Sequence, residues 1–191
     1  MTDQEIIQSI LNGKTENFRL VAEAYQSKIF RVCMGFVHQK EEAEDLTQDI
    51  LVSIYQNLNS YKGNSKFSTW MYRIAVNASL RHLERKKRRG FFERIEQLFT
   101  GEKSSHEINL HSHNENPETI LTSKERSEIV HRAIDTLSEN QRIAFTLSKF
   151  DDMPQQQIAS IMNSTEGAVE ALLQRAKANL QKKLITLHKK I

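Results

Sequence analysis

Cysteine is almost missing. Cys33 stands alone among 191 residues, which excludes an internal disulfide framework and a cysteine-rich zinc module. Proline occurs twice and glycine six times, well below average usage of about 5% and 7%. A strand-rich fold would need more of both at its tight turns, so an all-α chain is expected. No apolar run approaches the roughly 18 to 20 residues that span a bilayer. The opening Met1-Thr2-Asp3-Gln4-Glu5 lacks the basic flank and apolar stretch of a secretory signal, and the expected location is cytoplasmic. Catalytic constellations are also missing. No Gly-rich phosphate loop follows a strand-like run. His106, His111 and His113 fall in a polar stretch without the rigidity a metal site needs. The carboxylates lie mostly in charged runs expected to face water. Neither an enzyme nor a cofactor or metal is expected, and Cys33, on an apolar face, is expected in the core.

What is present is helical periodicity and segregated charge. Hydrophobic residues make up 38% and charged residues 27%, with a net charge of +3. From Lys40 to Asp49 one lysine faces Glu41, Glu42, Glu44, Asp45 and Asp49, a net −4. From Arg81 to Arg94 seven basic residues face Glu84 and Glu93, a net +5, and from Arg175 to the end the net is +6. Such blocks suit one face for a basic protein partner and others for a polyanion.

Apolar spacings of three and four predict a run of helices. Asp3 is expected to cap a first helix carrying Ile6, Ile7, Ile10 and Leu11, stopped at Gly13. A second carries Phe18 to Phe36, and a third spans about 40–58 with Leu46, Ile50, Ile54 and Leu58 on one stripe. Residues 57–65 are rich in turn formers and read as a loop. A fourth helix starts near Lys66 and runs into the basic cluster ending at Gly90. Phe91 to Phe99 could extend it as a short separate helix or bind a partner. Two small domains are expected, over 1–92 and 122–191. The intervening 93–121, centred on the unpatterned, polar 101–119, is read as a flexible linker. In the second unit Ser138 and Gln141 form a capping box and Pro154 opens a short helix, 155–162. A turn at Asn163-Ser164-Thr165 leads to a long last helix. That order is a helix-turn-helix, although an ordinary helical hairpin gives the same pattern.

Tyr55, Tyr61, Phe67, Trp70 and Tyr72 precede the basic helix. Rings beside cations hold unstacked nucleotides, each stacking contact being worth about 1–3 kcal/mol. Phe67 is expected in the core instead, while Tyr61, Trp70 and Asn77 fit either role.

Three stretches, Ile29-Phe30-Arg31-Val32, Ala43-Glu44-Asp45-Leu46-Thr47-Gln48-Asp49 and Phe67-Ser68-Thr69-Trp70-Met71-Tyr72-Arg73-Ile74-Ala75-Val76-Asn77, together resemble the first domain of extracytoplasmic-function (ECF) sigma factors. These are the promoter-specificity subunits of bacterial RNA polymerase. Leu137 to Arg142, Gln157-Ile158-Ala159, Gly167-Ala168-Val169-Glu170 and Arg175-Ala176-Lys177 resemble their second domain. The resemblance implies that Asp45, Leu46, Gln48, Asp49 and Val52 grip the clamp helices of the largest polymerase subunit. It implies that Tyr61, Lys62, Gly63, Asn64 and Ser65 capture a base flipped from the −10 element. Trp70, Arg73 and Asn77 would sit at the upstream edge of the melted strand, and Arg81, Arg85 and Lys86 along its phosphates. Thr165, Glu170, Ala171, Gln174, Arg175 and Lys177 would read duplex DNA at −35. Glu170, Ala171 and Leu172 depart from the family's usual residues, which leaves the −35 sequence open. The resemblance further implies core polymerase, promoter DNA and an anti-sigma factor as partners, the last able to hold the chain at a membrane. The rival expectation is an autonomous helix-turn-helix regulator.

Overall fold

The computed structural model describes residues 2–100 and 123–188. The expected linker centre at 101–119, with His106, His111 and His113, lies outside them. All regular structure among the described residues is helical: α1 (Asp3–Leu11), α2 (Phe18–Val37), α3 (Lys40–Gln56), α4 (Phe67–Thr100), α5 (Ser123–Ile134), α6 (Glu139–Phe150), α7 (Gln155–Met162) and α8 (Glu166–His188), with 3-10 turns at Thr15–Asn17 and Leu58–Ser60.

Helices α1 to α4 form the first body. α2 buries Val21, Tyr25, Ile29, Val32, Cys33 and Phe36, α3 buries Ala43, Leu46, Ile50 and Ile54, and α4 adds Phe67, Met71, Tyr72, Ala75 and Val76. Each large side chain withdrawn from water here contributes roughly 1.5–3 kcal/mol. Two hydroxyls inside this core are satisfied locally: Thr47 donates to the Ala43 carbonyl at 2.6 Å and Ser79 to that of Ala75 at 2.9 Å, the helical i−4 back-bond. Burial pushes the Cys33 thiol up, only partly offset by bonds from Thr47 and Ser79, so the sulfur is inert packing, as its apolar face predicts.

Several boundaries differ from the sequence reading. Thr2, not Asp3, caps α1: its hydroxyl accepts from the Glu5 amide while the Glu5 carboxylate accepts from the Thr2 amide at 2.7 Å. Asp3 instead accepts from the Tyr25 hydroxyl at 2.7 Å, tying α1 to α2. Ser138 starts α6 in extended geometry without a side-chain cap bond. Pro154 occupies the cap position of α7 rather than its first turn. α4 does not stop at Gly90 but continues as one helix to Thr100, because a helical glycine in solvent costs only about 1 kcal/mol against alanine.

Helices α5 to α8 form the second body. Ala133, Ile134, Leu137, Ala176 and Leu180 make a small core of their own. Ile143, Ala144, Leu147, Met153, Ile158, Ala159, Ile161 and Val169 instead join one continuous cluster with α1 to α4. α6 packs on α2 and α7 on α4, so the two bodies lie closed against each other.

Candidate functional site

On α3, positions 45, 48, 49 and 52 fall on the face opposite the buried stripe. Asp45, Gln48 and Asp49 are exposed and Val52 is 54% exposed. Leu46 is not on this surface: it is 4% exposed and packs beneath, holding α3 in place. Tyr55, one turn beyond Val52, is 40% exposed and meets the Phe18 ring edge-on at 5.1 Å. The acidic face thus ends in an apolar patch that helical spacing could have revealed.

The loop before α4 is fastened by its own residues. Tyr61 donates its hydroxyl to the Ser65 carbonyl at 2.7 Å, and Gly63 adopts φ +73°, a region open to glycine but strained for other residues. Lys62, Gly63 and Asn64 are exposed at its tip. Tyr61 packs at 5.3 Å on Phe67 and 5.6 Å on Trp70. Phe67 is buried at 3% exposure, as expected, while Tyr61 and Trp70 are half-buried and Asn77 faces water. The cluster therefore sets two half-buried rings on a buried one, with a polar tip beside them.

Beyond it, Arg81 and Arg85 are exposed, but Lys86 is engaged. Its ammonium lies 2.8 Å from both oxygens of Glu42, which also bonds His82 Nε2 at 2.7 Å. Partial burial alone would raise the Glu42 pKa, yet its bonds to Lys86 and His82 hold it below the ordinary range.

In the second body, Ile158, Ala159 and Ile161 pack near Val169, and Asn163 turns the chain in the left-handed region at φ 51°. Thr165 accepts from the Ala168 amide at 3.2 Å, capping α8. Glu170, Gln174, Arg175 and Lys177 are exposed along α8 and Ala171 is half-buried. Gln174 donates to Glu170 at 3.3 Å, so these two act as a pair.

Both bodies match known sequence families. The family model described as Sigma-70 region 2 covers residues 21–89, and that described as Sigma-70, region 4 covers 127–180. The chain is 31% identical over 186 residues to the RNA polymerase sigma-H factor of Pseudomonas aeruginosa, covering 95% of this chain and 93% of that protein. This chain belongs to the ECF RNA polymerase sigma factors. The ECF RNA polymerase sigma-E factor of Escherichia coli K12 is 30% identical over 188 residues, 96% of this chain and 95% of that one. The solved structure of CnrH in complex with the cytosolic domain of CnrY has the same fold, with a TM-score of 0.65 at 17% identity over 96% of this chain and 97% of that one. The sigma factor RpoE with the anti-sigma factor NepR from Bartonella quintana gives 0.56 at 21% over 88% and 97%. The protein is thus a transcription initiation factor, not an autonomous helix-turn-helix regulator. Among the described residues no helix is long and apolar enough to cross a membrane.

Sequence reasoning missed the seam between the two bodies of this sigma factor. Each body caps helix ends of the other. Arg142, its side chain 6% exposed, donates to the Phe36 carbonyl at the end of α2 at 2.9 Å and to Asp135. Thr146 donates to the Gly35 carbonyl at 3.4 Å. In return Arg73 donates to the Ile161 and Ser160 carbonyls at the end of α7, at 3.1 and 2.6 Å. Terminal carbonyls lack intrahelical partners and carry the negative end of the helix dipole, which a guanidinium satisfies. Asp151, with a side chain 5% exposed, accepts from Arg31 at 2.8 Å and from the Tyr72 hydroxyl. Burial and Asp151 together push the Tyr72 phenol well above the ordinary tyrosine range.

Proposed function

We propose that this sigma factor docks the α3 face formed by Asp45, Gln48, Asp49 and Val52 on the clamp helices of core RNA polymerase and directs it to −35 and −10 promoter elements. The observation that carries this reading is that those four residues stay exposed on one face of α3 while Ala43, Leu46, Thr47, Ile50 and Ile54 bury the opposite one. An acidic face ending in Val52 and Tyr55 complements a basic coiled coil, steering encounter by charge and holding by apolar contact. Leu46 acts from beneath by fixing α3.

The loop 61–65 receives an unstacked −10 base against Tyr61 and Trp70, whose stacking offsets an unstacking cost of a few kcal/mol. Arg73 and Asn77 line the upstream edge, and Arg81 and Arg85 follow phosphates. α8 enters the −35 major groove with Glu170, Ala171, Gln174 and Arg175, Thr165 and Lys177 flanking on the backbone. The two elements lie on the order of 85 Å apart along B-form DNA, whereas α4, the longest helix, is about 50 Å long. The closed pair of bodies must therefore separate on the promoter, releasing Arg73. Core polymerase, promoter DNA and an anti-sigma factor that favours the closed form are the partners, in the cytoplasm.

The test is transcription from purified core polymerase with the full chain. Asp45→Ala and Gln48→Ala should lower core affinity about tenfold or more, with unchanged helix content by circular dichroism. Affinity equal to that of the unsubstituted chain would reject the docking face.

A further inference from the structure

The seam carries a group that nothing in promoter recognition uses. His38 of the first body stacks on His131 of the second, centroids 4.3 Å apart and planes within 4°. His38 ends α2 with φ 63°, a left-handed conformation usually given to glycine or asparagine at helix ends. Its Nε2 bonds Asp135 at 3.2 Å and lies 3.4 Å from the Arg142 guanidinium. Two buried polar atoms without a hydrogen-bond partner sit here together, His38 Nδ1 and Arg142 Nε. The polar contact is thus incomplete as it stands.

The charged groups around the stack leave no room for a further cation. A cavity of about 550 Å³ beside the rings is lined by His38 and Gln39, by Lys86 of α4, and by Ser127, Glu128, His131, Arg132 and Asp135 of the second body. Both carboxylates are already engaged, Asp135 with Arg142 and Glu128 with Arg132 at 3.8 Å. A proton on the His131 ring would add a cation to a seam whose carboxylates already hold Arg142 and Arg132.

We propose that the His38–His131 stack is an acid-released latch, in which a neutral His131 ring keeps the two bodies closed and its protonation drives them apart. Burial, and then the neighbouring His38, hold His131 below the ordinary histidine value in the closed form. Separation returns it to about 6.5. Closure is therefore fully retained above that value and is lost as pH falls below it, by up to about tenfold in the closed-to-open ratio per pH unit for one proton. His82 does not work the same seam, because its partner Glu42 belongs to the same body. Opening releases Arg73 from the end of α7, so the latch sets how much of the chain is ready for promoter DNA. That consequence rests on the proposed DNA role of Arg73; the latch itself does not.

The experiment is small-angle scattering of the full chain without polymerase or DNA, from about pH 8 to about pH 5.5, with circular dichroism in parallel. The radius of gyration should rise below about pH 6.5 at constant helix content. His131→Gln should stay closed throughout, while His131→Lys, a permanent cation, should be open at pH 8. A radius that stays constant in the unsubstituted chain, opening of His131→Gln over the same range, or loss of helix accompanying the expansion would each overturn the latch. None of these outcomes touches polymerase docking, which is read separately by core affinity.

Discussion

At single positions the seam tolerates little. A Cβ on Gly35 would collide with the Thr146 methyl and reach within 3.0 Å of the Phe150 ring. Gly35→Ala should therefore cost closure about 1–3 kcal/mol by overpacking while strengthening α2 itself by up to about 1 kcal/mol through helix propensity. The two effects separate by experiment: scattering should show a more open chain, and the denaturation of α2 to α4 should not weaken. Glu42 makes a different prediction. Its pKa is depressed in the folded chain, so its bonds stabilise above the ordinary glutamate value of about 4.3 and are lost as pH falls through the depressed one. Lys86 is half in solvent, with a side chain 55% exposed, which limits the contribution to about 1 kcal/mol. Glu42→Gln should remove that much at neutral pH and flatten the acid limb of the stability curve, measured by urea unfolding from pH 7 to 3.

At the scale of elements, α3 and α8 show how one pattern serves packing and recognition together. Each buries one stripe and leaves the other face exposed, the face proposed above for polymerase on α3 and for −35 DNA on α8. On α8 the proposed readers Glu170 and Gln174 are hydrogen-bonded to each other. A carboxylate in the major groove accepts from cytosine N4, whereas a lysine on the backbone reads no base. Glu170→Ala should relax preference at one base pair of the −35 element by about 1–3 kcal/mol. Lys177→Ala should weaken all promoters alike and reduce the salt slope by about one. Holoenzyme binding to a randomised −35 library at two salt concentrations distinguishes them. α4 was only partly legible, because its apolar periodicity fades through the exposed cations Arg85 to Arg89.

At the scale of the molecule, the closed arrangement is held by groups that look unremarkable in the sequence. Asp151 reads as one of two acids before a proline, yet it lies buried between Arg31 and Tyr72. Removing it leaves the buried Tyr72 phenol without its acceptor and frees the half-exposed Arg31 guanidinium, and an unpaired buried hydroxyl costs more than the net worth of the bond. Asp151→Ala should expand the chain at constant helix content and expose Arg73. Binding to promoter DNA without polymerase should rise several-fold, read by fluorescence anisotropy.

The helices, the two-body division, the exposed acid on α3, the aromatic cluster before α4 and the helix-turn-helix were readable from the chain alone. Each rests on periodicity or on residues close in sequence, where the backbone itself fixes geometry. The engagement of Lys86 by Glu42 and the capping of α2 and α7 by Arg142 and Arg73 were settled only by folding. These partners are separated by up to 106 positions, and no local pattern encodes which carboxylate or carbonyl a long cationic side chain will meet. That choice is made when two apolar surfaces close and whatever polar groups are trapped between them must find one another.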